Sequence, residues 1–321
     1  MKRGQIASAN PIETYVEAPG PIGPLKGTML SPALKGVPVV LIVPGSGPVD
    51  RDGNSPGGIK ASTYKLLAEG LAAHGITTVR IDKRGMFASG AAVQDANAVT
   101  IADYAADIQS WLGVIRRQTD ASCLWLLGHS EGALVTLAAA RDAPEVCGLV
   151  LIAGAGRPVG DVLREQLTSN PANAPLLAQA LPAIDALEAG KHVDTTGMDP
   201  ALLPLFRPQV QNFLIDAFSY DPAALLTKTA KPVLILQGQR DIQIGEQDAL
   251  RLKAANPRAK LVLLPDTNHV LKPVATADRA ANIAAYADPS LPLAPGIIET
   301  IAEFIASSGE DHLSLNRPSL Y

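Results

Sequence analysis

CLWLLGHSEGALVTLAAAR, residues 123–141, decides how this chain is read. Its first part is a short, unbroken apolar run ending at Gly128, the pattern of a strand covered on both faces. Its last part is rich in alanine and leucine, which predicts a helix beginning at Glu131. Between them stands GHSEG, 128–132, so Ser130 falls on the turn from strand to helix. Such a turn is so tight that the neighbours two residues away must lack side chains, a need that Gly128 and Gly132 meet. The turn lifts the Ser130 hydroxyl above the sheet edge and directs the first amides of the helix toward charge developing beside it. The Glu131 amide is therefore the first expected oxyanion donor.

Working outward, further apolar runs predict strands at 37–45, 76–82, 148–154, 232–238 and 260–265. Helical periodicity fills 61–74, with Leu66, Leu67, Leu71 and Ala72 on one face, and 100–117, with Ile101, Tyr104, Ile108, Trp111 and Leu112. This alternation predicts an α/β fold with a doubly wound, mostly parallel sheet. Residues 12–30, with Gly and Pro in their middle, read as an antiparallel hairpin at the sheet edge.

From 157 to 228 no buried strand is legible, and helical segments take over. The chain thus divides into a first core part (1–156), an inserted helical lid (157–228) and a second core part (229–321). Phe206, Phe213 and Phe218 fall in the insert with Leu202, Leu203, Leu205 and Leu214. They form either the insert's own small core or the lining of a substrate pocket. No internal repeat or low-complexity tract interrupts the chain.

At 321 residues, 47% hydrophobic and 18% charged, the chain can bury a large core and carry such an insertion. A net charge of −4 without a long basic run leaves no footprint for nucleic acid or an anionic membrane, so the expected partner is a small molecule. No run approaches 18 apolar residues, which argues against a membrane span. Lys2 and Arg3 are not followed by the apolar segment of an export signal. A cytoplasmic location is expected, or a periplasmic or secreted one if an upstream signal has been removed. Cys123 and Cys147 are too few for a disulfide framework or a cysteine zinc site. Both open strands expected to be neighbours; two buried thiols are the expected state, with a disulfide as the alternative in an oxidising compartment.

A serine needs a base, and the chain has five histidines. His74 ends a helix, His129 lies inside the elbow and is expected to point away from the serine, His192 belongs to the insert and His312 to a polar tail. His269 follows the last strand on the loop DTNHVLK and is the expected base. The acid that orients it should follow an earlier strand. Asp241 comes three residues after the end of PVLILQG, at the same sheet edge, whereas the rival Asp266 sits on the histidine's own loop as a turn or cap residue.

The second oxyanion amide is expected from the loop PGSGPVDRDGN, 44–54, at Ser46 with Gly47 as neighbour. A dinucleotide fingerprint fails because Asp50 stands where a glycine is needed, and a P-loop fails for want of a Gly-Lys pair. A calcium loop fails because Ala61 occupies the place of its glutamate. No metal and no cofactor are expected. Asp50, Arg51 and Asp52 are instead expected to fix the loop through ion pairs.

GSGPVDRDGN, RIDKRGMFASG at 80–90 and GHSEG together resemble bacterial α/β-hydrolase carboxylesterases, a group overlapping with serine-aminopeptidase-like hydrolases. The resemblance covers most of the chain. It implies acyl transfer from a small-molecule ester through an acyl-enzyme, with peptidase, thioesterase and noncatalytic ligand binding as alternatives in the same fold. It also implies that 82–90 forms part of the site wall. Phe87 stands where such relatives have a second glycine, which implies a bulkier wall. Oligomeric state is not legible.

Overall fold

The computed structural model describes residues 10–141 and 143–315. Lys2 and Arg3 lie outside the described residues, as does the side chain of His312. The strands are β1 (Ile12–Ala18), β2 (Leu25–Ser31), β3 (Val39–Val43), β4 (Thr77–Ile81), β5 (Leu124–His129), β6 (Val146–Ile152), β7 (Val233–Gly238) and β8 (Lys260–Leu264). The helices flanking them are α1 (Thr63–Ala73), α2 (Ile101–Thr119), α3 (Glu131–Ala139), α4 (Val159–Thr168), α5 (Leu177–Glu188), α6 (Leu203–Phe206), α7 (Pro208–Phe218), α8 (Pro222–Thr227), α9 (Glu246–Ala255), α10 (Arg279–Tyr286) and α11 (Ile297–Leu315).

The eight strands form one sheet in the order β1-β2-β4-β3-β5-β6-β7-β8. The β1–β2 hairpin joins antiparallel at the β4 edge, and every pairing from β4 to β8 is parallel. The central strands are buried along their whole length because successive side chains enter different layers. Leu41, Leu126, Leu151 and Ile235 pack with Trp111 of α2, Leu134 of α3 and Leu252 of α9. Ile42, Leu127, Ile152 and Leu236 pack on the other face with Leu67 of α1 and Ile301 of α11. This is the doubly wound α/β arrangement that the run pattern predicts. A capping box between Thr100 and Asp103 starts α2, satisfying two amides that the helix itself cannot. Because β3, β4, β5, β7 and β8 run the same way, the loops that follow them gather at one sheet edge.

The segment between β6 and β7 holds α4 to α8 and, among its described residues, no strand. Leu167, Ala180, Ile184, Leu187 and Leu202 form a core of its own, completed by Phe206 and Phe218. Phe206 and Phe218 are accordingly not pocket residues: α5 and α7 close over them. Phe213, on the opposite side of α7, lines a cavity.

The cysteines depart from the expected pair of thiols, since Cys123 and Cys147 are joined in a disulfide. β5 and β6 are adjacent, and their register slips between Leu124 and Trp125 beside the pair. The two Cα atoms lie 5.2 Å apart, within bridging range.

Candidate active site

Ser130 sits between the last residue of β5 and the first of α3 with φ 57° and ψ −122°, a conformation that a side chain adopts only when its surroundings enforce it. The enforcing contacts are specific. A Cβ on Gly128 would meet the Gly132 carbonyl oxygen at 2.2 Å, and one on Gly132 would meet that of Val43 at 2.2 Å. The Ser130 amide donates to the Ile152 carbonyl at 2.9 Å, tying the turn to β6. Among the described residues, the amides of Ser46, Gly47 and Glu131 donate to no protein acceptor. Ser46 and Ser130 line the same small cavity, about 80 Å³, together with His269.

His269 Nδ1 lies 2.7 Å from Asp241 Oδ2, and both side chains are buried. A carboxylate there accepts a hydrogen bond from Nδ1–H and leaves the Nε2 lone pair free as a base. The other Asp241 oxygen accepts the amides of Gln243 at 2.7 Å and Ile244 at 2.9 Å, and Gln237 Nε2 approaches Oδ2 at 3.3 Å. Burial by itself would raise the Asp241 pKa. The adjacent imidazole and the two amides outweigh it and hold the carboxyl below its ordinary range. The rival Asp266 is 60% exposed and lies 3.6 Å from the Arg240 guanidinium, away from the imidazole.

His129 is closer to this chemistry than the sequence suggests. Its ring lies against His269, with centroids 4.9 Å apart. Its Nε2 is 2.8 Å from the His269 carbonyl oxygen, which can only accept, so Nε2 carries the proton. Nδ1 is then an acceptor for the Tyr64 hydroxyl at 2.9 Å, and that hydroxyl accepts the Gly45 amide at 2.9 Å. The chain Gly45, Tyr64, His129, His269 links the loop after β3, helix α1, the elbow and the base in one satisfied relay. Burial, reinforced by the neighbouring His269, pushes the His129 pKa down to about 3 and keeps the ring neutral. Burial likewise raises the Tyr64 pKa, so its hydroxyl keeps the proton that it donates. Tyr64 and His129 are 65 residues apart, and no local pattern announces their meeting.

Arg51 and Asp52 fix the loop 44–54 through ion pairs as expected, and Asp50 fixes it through backbone amides instead. Arg51 binds Asp82 just after β4, with its Nε at 3.1 Å and its backbone amide at 2.8 Å, while Asp52 pairs with Arg80. Asp50 instead accepts the amides of Asp52 at 2.9 Å and Asn54 at 2.8 Å. Lys83, which sequence reasoning missed, donates from Nζ to the Gly45 carbonyl at 2.6 Å and to Glu131 Oε1 at 3.1 Å. It thereby pins the loop after β3 to the start of α3. Among the described residues, no three His, Cys, Asp or Glu side chains are grouped to hold a metal ion, and no helix is long and apolar enough to cross a membrane.

Two larger cavities flank the centre. One, about 530 Å³, is lined by Gly47, Phe87, Glu131 and Phe213. The other, about 680 Å³, is lined by Asp241, Gln243, Ile283 and Tyr286. Phe87 holds φ 45°, the left-handed region that glycine enters freely. That explains why a glycine suits this position, and the ring projects, 43% exposed, at the first cavity's wall.

The chain is 27% identical over 265 residues to "Esterase EstD" of Thermotoga maritima, spanning 81% of this chain and 61% of that protein's length. Among solved structures, Est1E from Butyrivibrio proteoclasticus matches with a TM-score of 0.58 at 16% identity, covering 92% of this chain and 99% of that one. A thermophilic esterase from Thermogutta terrifontis matches with a TM-score of 0.55 at 18% identity, again covering 92% and 99%. At such identities these two show the shared fold. The family profile described as serine aminopeptidase, S33, matches residues 57–272, two-thirds of the chain and the stretch that carries Ser130, Asp241 and His269. The chain belongs to this serine aminopeptidase S33 family, on the α/β-hydrolase fold.

Proposed function

We propose that this protein is a serine-dependent carboxylesterase that cleaves small to medium carboxylic esters through an acyl-enzyme. The observation that carries the reading is the buried Asp241–His269 pair, whose imidazole lines one cavity with a serine held at a strained strand-to-helix turn. Ser130 is the nucleophile, His269 Nε2 accepts its proton, and Asp241 fixes the imidazole tautomer and stabilises its charged form. The amides of Ser46 and Glu131 hold the oxyanion of the tetrahedral intermediate. His269 then gives its proton to the departing alcohol, activates water, and the acid leaves. Segment 157–228 acts as a lid in this scheme, with α7 roofing the cavity that Phe213 lines.

Peptidase action on a free N-terminus needs a carboxylate to anchor the amine. Every carboxylate lining the three cavities already has a partner: Glu131 has Lys83, Glu165 has Arg157 and Asp241 has His269. Asp216, the other candidate anchor, accepts the Ile101 amide at 2.7 Å. This favours esters over aminopeptidase substrates; a thioester would use the same machinery. The test is hydrolysis of p-nitrophenyl esters beside an aminoacyl p-nitroanilide by wild type and Ser130→Ala. Ester turnover should fall about 10³-fold or more in the variant. Anilide cleavage without ester turnover would make the protein a peptidase, and silence on every substrate would favour a noncatalytic ligand-binding protein.

A further inference from the structure

We propose that the substrate carries a carboxylate remote from the scissile bond and that Arg207 receives it. The inference rests on the esterase reading above and adds the charge of the substrate to it.

The observation is an imbalance among the charged groups of the cleft. Glu131, Glu165 and Asp241, the carboxylates that line the three cavities, are engaged by Lys83, Arg157 and His269 respectively. Arg157 is further spent on Asp248, and Lys83 on the Gly45 carbonyl and on the face of the Tyr104 ring, 5.1 Å from its centroid. Two cations remain. Among the described residues, the guanidinium groups of Arg207 and Arg279 donate to no acceptor and pair with no carboxylate. In a chain whose net charge is −4, the unpaired charge lining the cavities is therefore positive.

Position separates the two. Arg279, on α10, lines the 680 Å³ cavity, which meets the carboxylate behind the imidazole and neither Ser130 nor His269. Arg207, just before α7, lines the 530 Å³ cavity together with Gly47 and Glu131. Ser46 and Ser130, the residues preceding those two, line the central cavity with His269. A molecule that fills the 530 Å³ cavity therefore borders the reacting centre and touches Arg207.

Chemistry names the group. Phe87, Phe213 and Val210 give this cavity apolar walls, Glu131 is neutralised by Lys83, and burial keeps Tyr104 a neutral phenol. The uncommitted charge among them is the Arg207 guanidinium. Planar, with parallel N–H donors, it matches the two oxygens of a carboxylate. Because Arg207 is exposed and hydrated, pairing strips little water from it, and the gain is a few-fold in kcat/KM rather than many orders.

The experiment compares esters that differ at the far end. p-Nitrophenyl hydrogen adipate against p-nitrophenyl hexanoate puts the carboxylate on the acid side, and 4-carboxyphenyl against 4-methylphenyl butyrate puts it on the alcohol side. In one of these pairs the wild type should favour the anionic ester in kcat/KM, through a lower KM. Arg207→Gln should lower that ratio about fivefold and Arg207→Glu further, whereas Arg279→Gln keeps it. Raising salt from about 0.05 M to about 0.5 M should compress the ratio in the wild type and not in Arg207→Gln, since screening acts on an exposed pair. Ratios that Arg207→Gln leaves untouched in both pairs, or that Arg279→Gln lowers equally, overturn the assignment and leave the esterase standing. Silence of the wild type on all four esters overturns the esterase reading. The Arg207 site is then tested alone by calorimetric titration of adipate: binding that weakens in Arg207→Gln supports it, and binding that is absent or equal overturns it.

Discussion

At Gly128 and Gly132 the chain is held by backbone atoms at contact distance, whereas from 157 to 228 it builds a small core of its own, rests α7 and α8 on the main core and reaches the cleft with a few side chains. At the elbow a single added methyl on either glycine would collide with backbone oxygen, and the neighbouring His129 closes a relay that ends on the base. In the insert, Phe206 and Phe218 are spent on an internal core, and Phe213 is the phenylalanine of this segment that meets the cavity. On the proposed reading, the groups that cleave the bond are thus separated from the surface that would shape the substrate. One can change without the other, provided that the two regions do not unfold together.

The largest effect expected from breaking the rigid side comes from Asp241→Asn. The amide can still accept from Gln243 and Ile244, but it would donate toward His269 Nδ1 and move the imidazole proton to Nε2. With the base occupied, kcat should fall about 10³- to 10⁴-fold while far-ultraviolet circular dichroism stays unchanged. A smaller loss, under tenfold, would mean that Asp241 does not set the tautomer.

Phe206→Ala probes the other side of the comparison. Emptying so buried a position costs about 3–5 kcal/mol, which should loosen the insert. Labelling of Ser130 by a small fluorophosphonate should keep its wild-type rate, while turnover of long-chain esters falls. Parallel loss of both would show that centre and insert form one cooperative unit, and the separation drawn above would be wrong.

Acid sharpens the comparison within the centre itself. The folded-state pKa of His129, about 3, lies below its ordinary 6.5, so below pH 6.5 the unfolded chain binds a proton that the folded chain refuses. The stability it contributes is fully present above pH 6.5 and is lost as pH falls toward 3, at no more than about 1.4 kcal/mol per pH unit. The depressed Asp241 carboxyl adds a loss in the same direction below about pH 4. Denaturant midpoints between pH 6.5 and 4.5 should fall in the wild type and flatten in His129→Gln. Equal slopes would remove His129 as the source.

Tyr64→Phe is expected to be milder, because it strands two polar groups without moving the ring. The Gly45 amide and His129 Nδ1 lose their shared partner, a cost of about 1–3 kcal/mol. kcat should drop about tenfold with KM little changed, since Tyr64 acts through the position of the His269 loop. A rise in KM alone would place Tyr64 in binding instead.

What the sequence made legible follows the same divide. Ser130, Asp241 and His269 each stand at a fixed offset from the end of an apolar run, so a local reading places them at one sheet edge. The mostly parallel sheet and the edge hairpin are legible for the same reason. His129 and Tyr64 are not, because their contact depends on how α1 docks beneath β5. The three phenylalanines are likewise indistinguishable in sequence: which of them faces the cleft is settled by the packing of α5 on α7. The cysteines lie between these cases. Neighbouring strands were foreseeable, but the register slip that accompanies their closure was not.

The smallest effect is expected where the two regions meet, at Phe87. Its φ of 45° is a conformation that costs a side-chain-bearing residue about 1 kcal/mol and costs glycine little. Glycine also widens the unfolded ensemble, so in Phe87→Gly the relief of strain is offset by chain entropy. The unfolding temperature should therefore move by no more than a few degrees. Removal of the ring takes away one wall of the 530 Å³ cavity without touching Ser130, Asp241 or His269. Esters with bulky or branched acyl groups should gain a few-fold in kcat/KM, while acetate esters stay near wild type. Equal change across the acyl series would mean that the ring acts on the elbow rather than on the substrate.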